Sequence, residues 1–112
     1  MILITAEQRE RMLANSRRLR EDDDPMPVVK LFTPDAQATW LLSELDPDDD
    51  GIAFGVCDLG VGCPELGYVS LTEIANVRGP LGLPVERDLH FRPDKTIGAY
   101  AEEARAHSRI IA

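Results

Sequence analysis

The alternation of hydrophobic and polar positions divides the chain into short segments, and its period changes several times. In residues 5–20 the apolar residues Met12, Leu13 and Leu19 recur at helical spacing, with Ser16 between them and arginines around them. This is a thin stripe on a polar cylinder, so the segment is predicted to pack at an edge and keep a wet basic face. Thr5 caps the helix, and Gln8, three residues on, completes a capping box. The run Glu21-Asp22-Asp23-Asp24-Pro25 then ends it, because acidic charge opposes the dipole at a helix C-terminus and proline cannot continue the ladder. Residues 28–32 are β-branched, apolar and aromatic enough for a strand.

Residues 38–46 fit two patterns. Thr33-Pro34 could start a helix lined by Trp40, Leu41 and Leu45. Pro25, Pro34 and Pro47 punctuate the region at hairpin-like spacing, however, and a strand is the prediction. Residues 46–51 read as a turn in which Asp50-Gly51 supplies the positive φ of a hairpin. In residues 52–58, Ile52, Phe54 and Val56 share one face, and Ala53, Gly55 and Cys57 share the other, which is small enough for close approach. A turn at residues 60–64 leads to a short strand over 65–69. Ser70-Leu71-Thr72-Glu73 is a second capping box; Ile74 and Val77 extend its apolar face, and Gly79-Pro80 stops the helix at Arg78. Residues 85–91 alternate as a strand with Val85, Leu89 and Phe91 on one side. Residues 96–108 form a last helix, capped by Thr96 and buried through Ile97, Tyr100, Ala101 and Ala104. The order α-β-β-β-β-α-β-α predicts an α+β fold, an antiparallel β-meander of about five short strands covered by N-terminal, middle and C-terminal helices.

At 112 residues the chain has the size of one domain, 1–112, and its 44% apolar and 29% charged residues match a folded protein rather than a disordered one. Charge changes the picture. The net charge is −8, and it is uneven: residues 1–20 hold five arginines and two acids, while residues 21–112 hold seven basic and eighteen acidic residues. The 47 residues from 31 to 77 contain nine carboxylates and no Lys or Arg. Such a field repels polyphosphate, so no direct duplex nucleic-acid binding is expected of the body of the protein. The five arginines of the first helix lack an aromatic platform, and the expectation is that this helix lies on the acidic sheet. Met1-Ile2-Leu3-Ile4 has neither a basic flank nor a long apolar run, and no stretch approaches a membrane span. A cytoplasmic location is therefore expected, with Cys57 and Cys63 as free thiols.

Candidate chemistry is sparse. Asp46-x-Asp48-x-Asp50-Gly51 imitates the first half of a calcium loop, but the twelfth position is Cys57 instead of a glutamate, and a strand follows. Cys57, Cys63, His90 and His107 lack the close pair spacing of structural zinc. Neither cysteine has a basic neighbour in sequence to lower its pKa. No catalytic residue, metal or cofactor is assigned, and an enzyme is not expected. Arg87 stands in the apolar phase of its strand, where a guanidinium needs a partner. Glu44, Asp58 and Glu65 are candidates for a structural ion pair. The functional alternative is a pocket presenting Arg87 with Tyr68 and Trp40 to a small anionic ligand or nucleotide.

Several strings are similar to those of a known family: Lys30-Leu31-Phe32-Thr33-Pro34, Thr39 through Asp46, Phe54 through Gly60, Glu65 through Leu71, and Pro84 through Phe91. Together they resemble the bacterial domain-of-unknown-function 2958 family over roughly residues 2–105. The resemblance implies a setting on plasmids, integrative elements and phages, and favours a strand for 38–46; it brings no reaction with it. The function expected from residues and setting is a non-enzymatic protein-interaction module of a mobile element, which could act as an acidic inhibitor of a host defence nuclease of the CRISPR or restriction type. Its expected partner is a protein with a basic surface. The expected interaction surface comprises Glu44, Asp46, Asp48, Asp49, Asp50, Asp58 and Glu65.

Overall fold

The computed structural model describes residues 2–18 and 23–112. Thr5 and Gln8 close the first capping box reciprocally, each side chain accepting the other's backbone N–H at 3.0 and 3.1 Å. Helix α1 (Ala6–Arg18) starts there. Strands β1 (Val29–Phe32), β2 (Thr39–Asp46), β3 (Asp49–Asp58) and β4 (Glu65–Ser70) follow as a meander, then α2 (Leu71–Ala75), β5 (Glu86–Arg87) and α3 (Ile97–His107). The five strands form one antiparallel sheet in the order β4-β3-β2-β1-β5. The α+β architecture with its three helices is as the sequence predicts. Leu19 and the run from Arg20 to Asp22 lie outside the described residues.

Both faces of the sheet are covered, because each central strand is apolar on both sides. On one face Met12 of α1 packs with Val29, Leu31, Trp40, Leu42, Leu45 and Ala53, and Ile74 of α2 joins them. On the other, Ile97, Tyr100 and Ala101 of α3 pack on Leu41 and Val56, with Leu66, Phe91 and Ile110 at the margin. The register slips between Leu42 and Glu44, where Ser43 is the extra residue. The Ser43 carbonyl there accepts an N–H of Asn15 at 2.7 Å, which ties α1 to β2. Gly55 is required by packing: a Cβ would stand 1.9 Å from the Leu41 carbonyl oxygen.

Three local predictions are corrected. Helix α2 ends at Ala75, capped by Asn76, rather than at Arg78, which instead forms a β-bridge with Pro84. The hairpin turn is Pro47-Asp48, flanked by the Asp46–Asp49 pair. Gly51 lies within β3, and its φ is not positive. Proline fixes the φ that the first central position of a common turn needs, so Asp-Gly is not used. The alternation in residues 85–91 also yields only the two-residue β5. Asp88 accepts the N–H of His90 at 2.8 Å and turns the chain, leaving Leu89 66% exposed rather than in the core. Local Asx chemistry there competes successfully with the strand. Among the described residues no helix is long and apolar enough to cross a membrane.

Candidate functional site

Among the described residues, four aspartates gather on the β2–β3 hairpin. The Asp46 carboxylate accepts the Asp48 N–H at 2.9 Å, and the Asp49 carboxylate accepts the Gly51 N–H at 3.0 Å. These short loops of hydrogen bonds fix the turn. Asp48, Asp49 and Asp50 are exposed. Arg9 of α1 reaches Asp50, donating to its carbonyl and its carboxylate at 3.2 Å each. The Asp50 side chain is still 75% exposed, so this pair contributes little stability. Among the described residues it is the one ion pair between α1 and the hairpin. The basic helix lies on the sheet through Met12 and Asn15, and Arg9 is where its charge meets the hairpin.

The seven expected surface acids separate into three environments. Asp46, Asp48, Asp49 and Asp50 form the tip. Glu44 lies one strand pair inward, opposite Phe54 on the α3 face, where burial pushes its carboxyl above the ordinary range. Asp58 and Glu65 are at the other end of β3 and β4. Glu65 is exposed, but Asp58 is 4% exposed and is not a surface group. Its carboxylate accepts the N–H of Gly60 at 2.8 Å and of Ile110 at 3.0 Å, pinning the C-terminal segment to the sheet.

Arg87, Tyr68 and Trp40 are not brought together. Trp40 is 2% exposed in the core beneath α1. Tyr68 is on the opposite face at the β4 edge, 70% exposed and edge-on to Phe54 at 5.2 Å. Arg87 is at the other edge, paired with Leu31, and donates to the Ile2 carbonyl at 2.6 Å. Its placement ties the N-terminal segment to β5. Burial and the neighbouring Asp58 raise the Cys57 thiol, which is the wrong direction for a nucleophile. Among the described residues, no three His, Cys, Asp or Glu side chains are grouped to hold a metal ion.

A cleft the sequence reading missed opens between the β5 turn and α3. It measures about 500 Å³ and is lined by Lys30, Asp88, Arg92, Lys95 and Tyr100 among others. Lys30 pairs with Asp88 at 3.5 Å. Lys95 pairs with Asp94 at 3.1 Å and sits 4.9 Å over the Tyr100 ring. The hydrogen bond from Lys95, then that from Tyr100, pulls the Asp94 carboxyl down, and the same lysine bond raises Lys95. Burial raises the Tyr100 phenol. The run His90-x-Arg92-x-x-Lys95 was the available signal, since it gathers basic residues in an acidic chain.

A family model described as a protein of unknown function, DUF2958, matches residues 3–111. The chain belongs to this family. Comparison with curated proteins and with solved structures finds no match. Membership accounts for the shared strings along β1 to β5 and attaches no reaction to them.

Proposed function

We propose that this DUF2958 chain is a non-enzymatic protein-interaction module that engages a basic protein surface through the tip of its β2–β3 hairpin. The observation that carries this reading is the gathering of Asp46, Asp48, Asp49 and Asp50 on a turn whose Asp46 and Asp49 carboxylates accept its own backbone N–H groups, with Asp50 drawn to an arginine. A preset array of carboxylates loses little entropy on binding and steers a cationic partner over distances near the Debye length, about 8 Å at physiological salt. The setting implied for the family favours a mobile-element role. Among basic surfaces, the nucleic-acid channel of a host CRISPR or restriction nuclease then fits best, because occupying it would protect an invading element.

Purified nuclease complexes, assayed for DNA binding and cleavage with and without the protein, test the proposal. Inhibition is expected to weaken with salt and to be relieved by changing Asp46, Asp48, Asp49 and Asp50 together to asparagine. Unchanged DNA binding across the panel would count against the nuclease target. Inhibition that survives the four-fold change would count against the hairpin. A second reading, a small-ligand site, is favoured by the cleft carrying Lys30, Arg92 and Lys95 beside Tyr100. Its volume is in the usual range for ligand pockets, roughly 300–1,000 Å³. A thermal-shift screen with anionic metabolites tests it, since binding the folded state raises the melting midpoint.

A further inference from the structure

We propose that β4 is a self-association edge, at which two copies of this chain join their sheets antiparallel about a two-fold axis near Gly67 and Tyr68. The inference is independent of the hairpin reading and begins from main-chain hydrogen bonds. β4 is the last strand of the sheet, bonded to β3 on one side. Among the described residues, nothing on the chain bonds to its outer backbone. In an antiparallel strand, alternate residues direct both their N–H and C=O outward, so about half of these six residues present unpaired groups. β4 pairs with β3 over all six residues with no register shift, and it contains no Pro, Lys or Arg. Proline, lysine, bulges and short length are the devices by which edges are normally protected. The opposite edge uses them: β5 is two residues long, follows Pro84 and Val85, and turns away at Asp88. One edge of this sheet is closed and the other is open.

Nothing flanking β4 folds across it. Pro64 before it is buried, and α2 after it turns under the sheet to place Ile74 in the core. A Cβ built on Gly67 meets open space. Beside the strand, Tyr68 is 70% exposed, with the Phe54 ring behind it. These features describe a ledge that a second strand would cover.

The chemistry selects a second copy as that strand. The middle of β4, Leu66-Gly67-Tyr68-Val69, carries no charge, so a second β4 can lie against it without setting like charges side by side. An isologous antiparallel contact brings the same neutral segment from both subunits together. It keeps the two Glu65 side chains at opposite ends. Because Ile52 pairs with Ser70, each acidic hairpin extends past the Ser70 end of its own β4. The two-fold therefore points the tips in opposite directions, which separates the largest charges of two subunits of −8 each. The product is a continuous ten-stranded sheet, twice the five strands of one copy. A six-residue contact lies at the small end of specific interfaces, on the order of 1,000 Å², so association is reversible.

Sedimentation equilibrium in reducing buffer, from roughly 5 to 500 µM, tests the proposal. A monomer–dimer equilibrium is expected for the wild-type chain. Tyr68→Lys and Tyr68→Glu place like charges across the axis, and each is expected to weaken the dimer at least about ten-fold. An equimolar mixture of the two is expected to restore it. Both variants should keep the wild-type circular dichroism spectrum, because the side chain is mostly in solvent. A wild-type chain that stays monomeric at 500 µM overturns the proposal. A dimer that persists undiminished in both variants, or a mixture that stays monomeric, overturns the assignment to β4.

Discussion

Replacing Asp58 separates its two possible roles, surface charge or internal tie. Asp58→Ala removes the acceptor for two backbone N–H groups, those of Gly60 at 2.8 Å and Ile110 at 3.0 Å. Hydrogen bonds to a charged group contribute about 1.5–3 kcal/mol each, and an orphaned donor adds a desolvation cost. Gly60 is exposed, so water replaces most of its bond; Ile110 is half-buried and packs at the edge of the α3 core. The expected loss is therefore about 3 kcal/mol, less than the sum of two full bonds. With an unfolding entropy of about 2.1 cal/mol/K per residue, 112 residues give ~235 cal/mol/K, or about 4 °C per kcal/mol. The melting midpoint should fall by about 12 °C in calorimetry. Hydrogen exchange should show the Ile110 amide losing protection before the β2 and β3 amides do. Asp48→Asn, at the exposed tip, should stay within about 0.5 kcal/mol of wild type. If Asp58→Ala is as mild as Asp48→Asn, with Ile110 exchange unchanged, Asp58 is not an internal tie.

Gly55→Ala should destabilise by about 3 kcal/mol or prevent folding, because the new methyl meets the Leu41 backbone; urea titration measures it. Ser108→Gly should stabilise by about 0.5–1 kcal/mol, since Ser108 ends α3 at φ 57°, where glycine carries no Cβ penalty; the same titration checks it. Glu44→Gln should raise the melting midpoint at pH 7 and lose that advantage near pH 4. The folded-state pKa of Glu44 is raised by burial, so the wild-type carboxyl costs stability when ionised, and the cost disappears as pH falls through that pKa. Alkylation at pH 8, followed by mass spectrometry, should modify exposed Cys63 well before Cys57, whose thiol is half-buried and raised.

Local rules settled much of this protein in advance. Thr5 with Gln8, Ser70 with Glu73 and Thr96 mark three helix starts, because a cap is a bond between residues three apart and needs no partner elsewhere. Alternation placed β3, β-branched and aromatic composition placed β1, and helical period gave the buried face of α3, because these signals are written directly in the residues; β2, buried along most of its length, was placed by its flanking prolines instead. Long-range placement decided the rest. Asp58 and Asp48 are the same residue type in neighbouring acidic stretches, yet one is closed by Ile110 from 52 positions away and the other faces water. Arg87 donates to the Ile2 carbonyl, 85 positions distant, and no local pattern encodes that contact. Trp40 and Tyr68 occupy opposite faces because the register of β3 with its two neighbours fixes which side chains share a side. The cleft around Lys30 and Lys95 exists because β1, the β5 turn and α3 converge. Spacing along a chain sets which residues can be neighbours within an element, whereas burial, charge pairing and open edges depend on how elements meet, and only the folded sheet determines that.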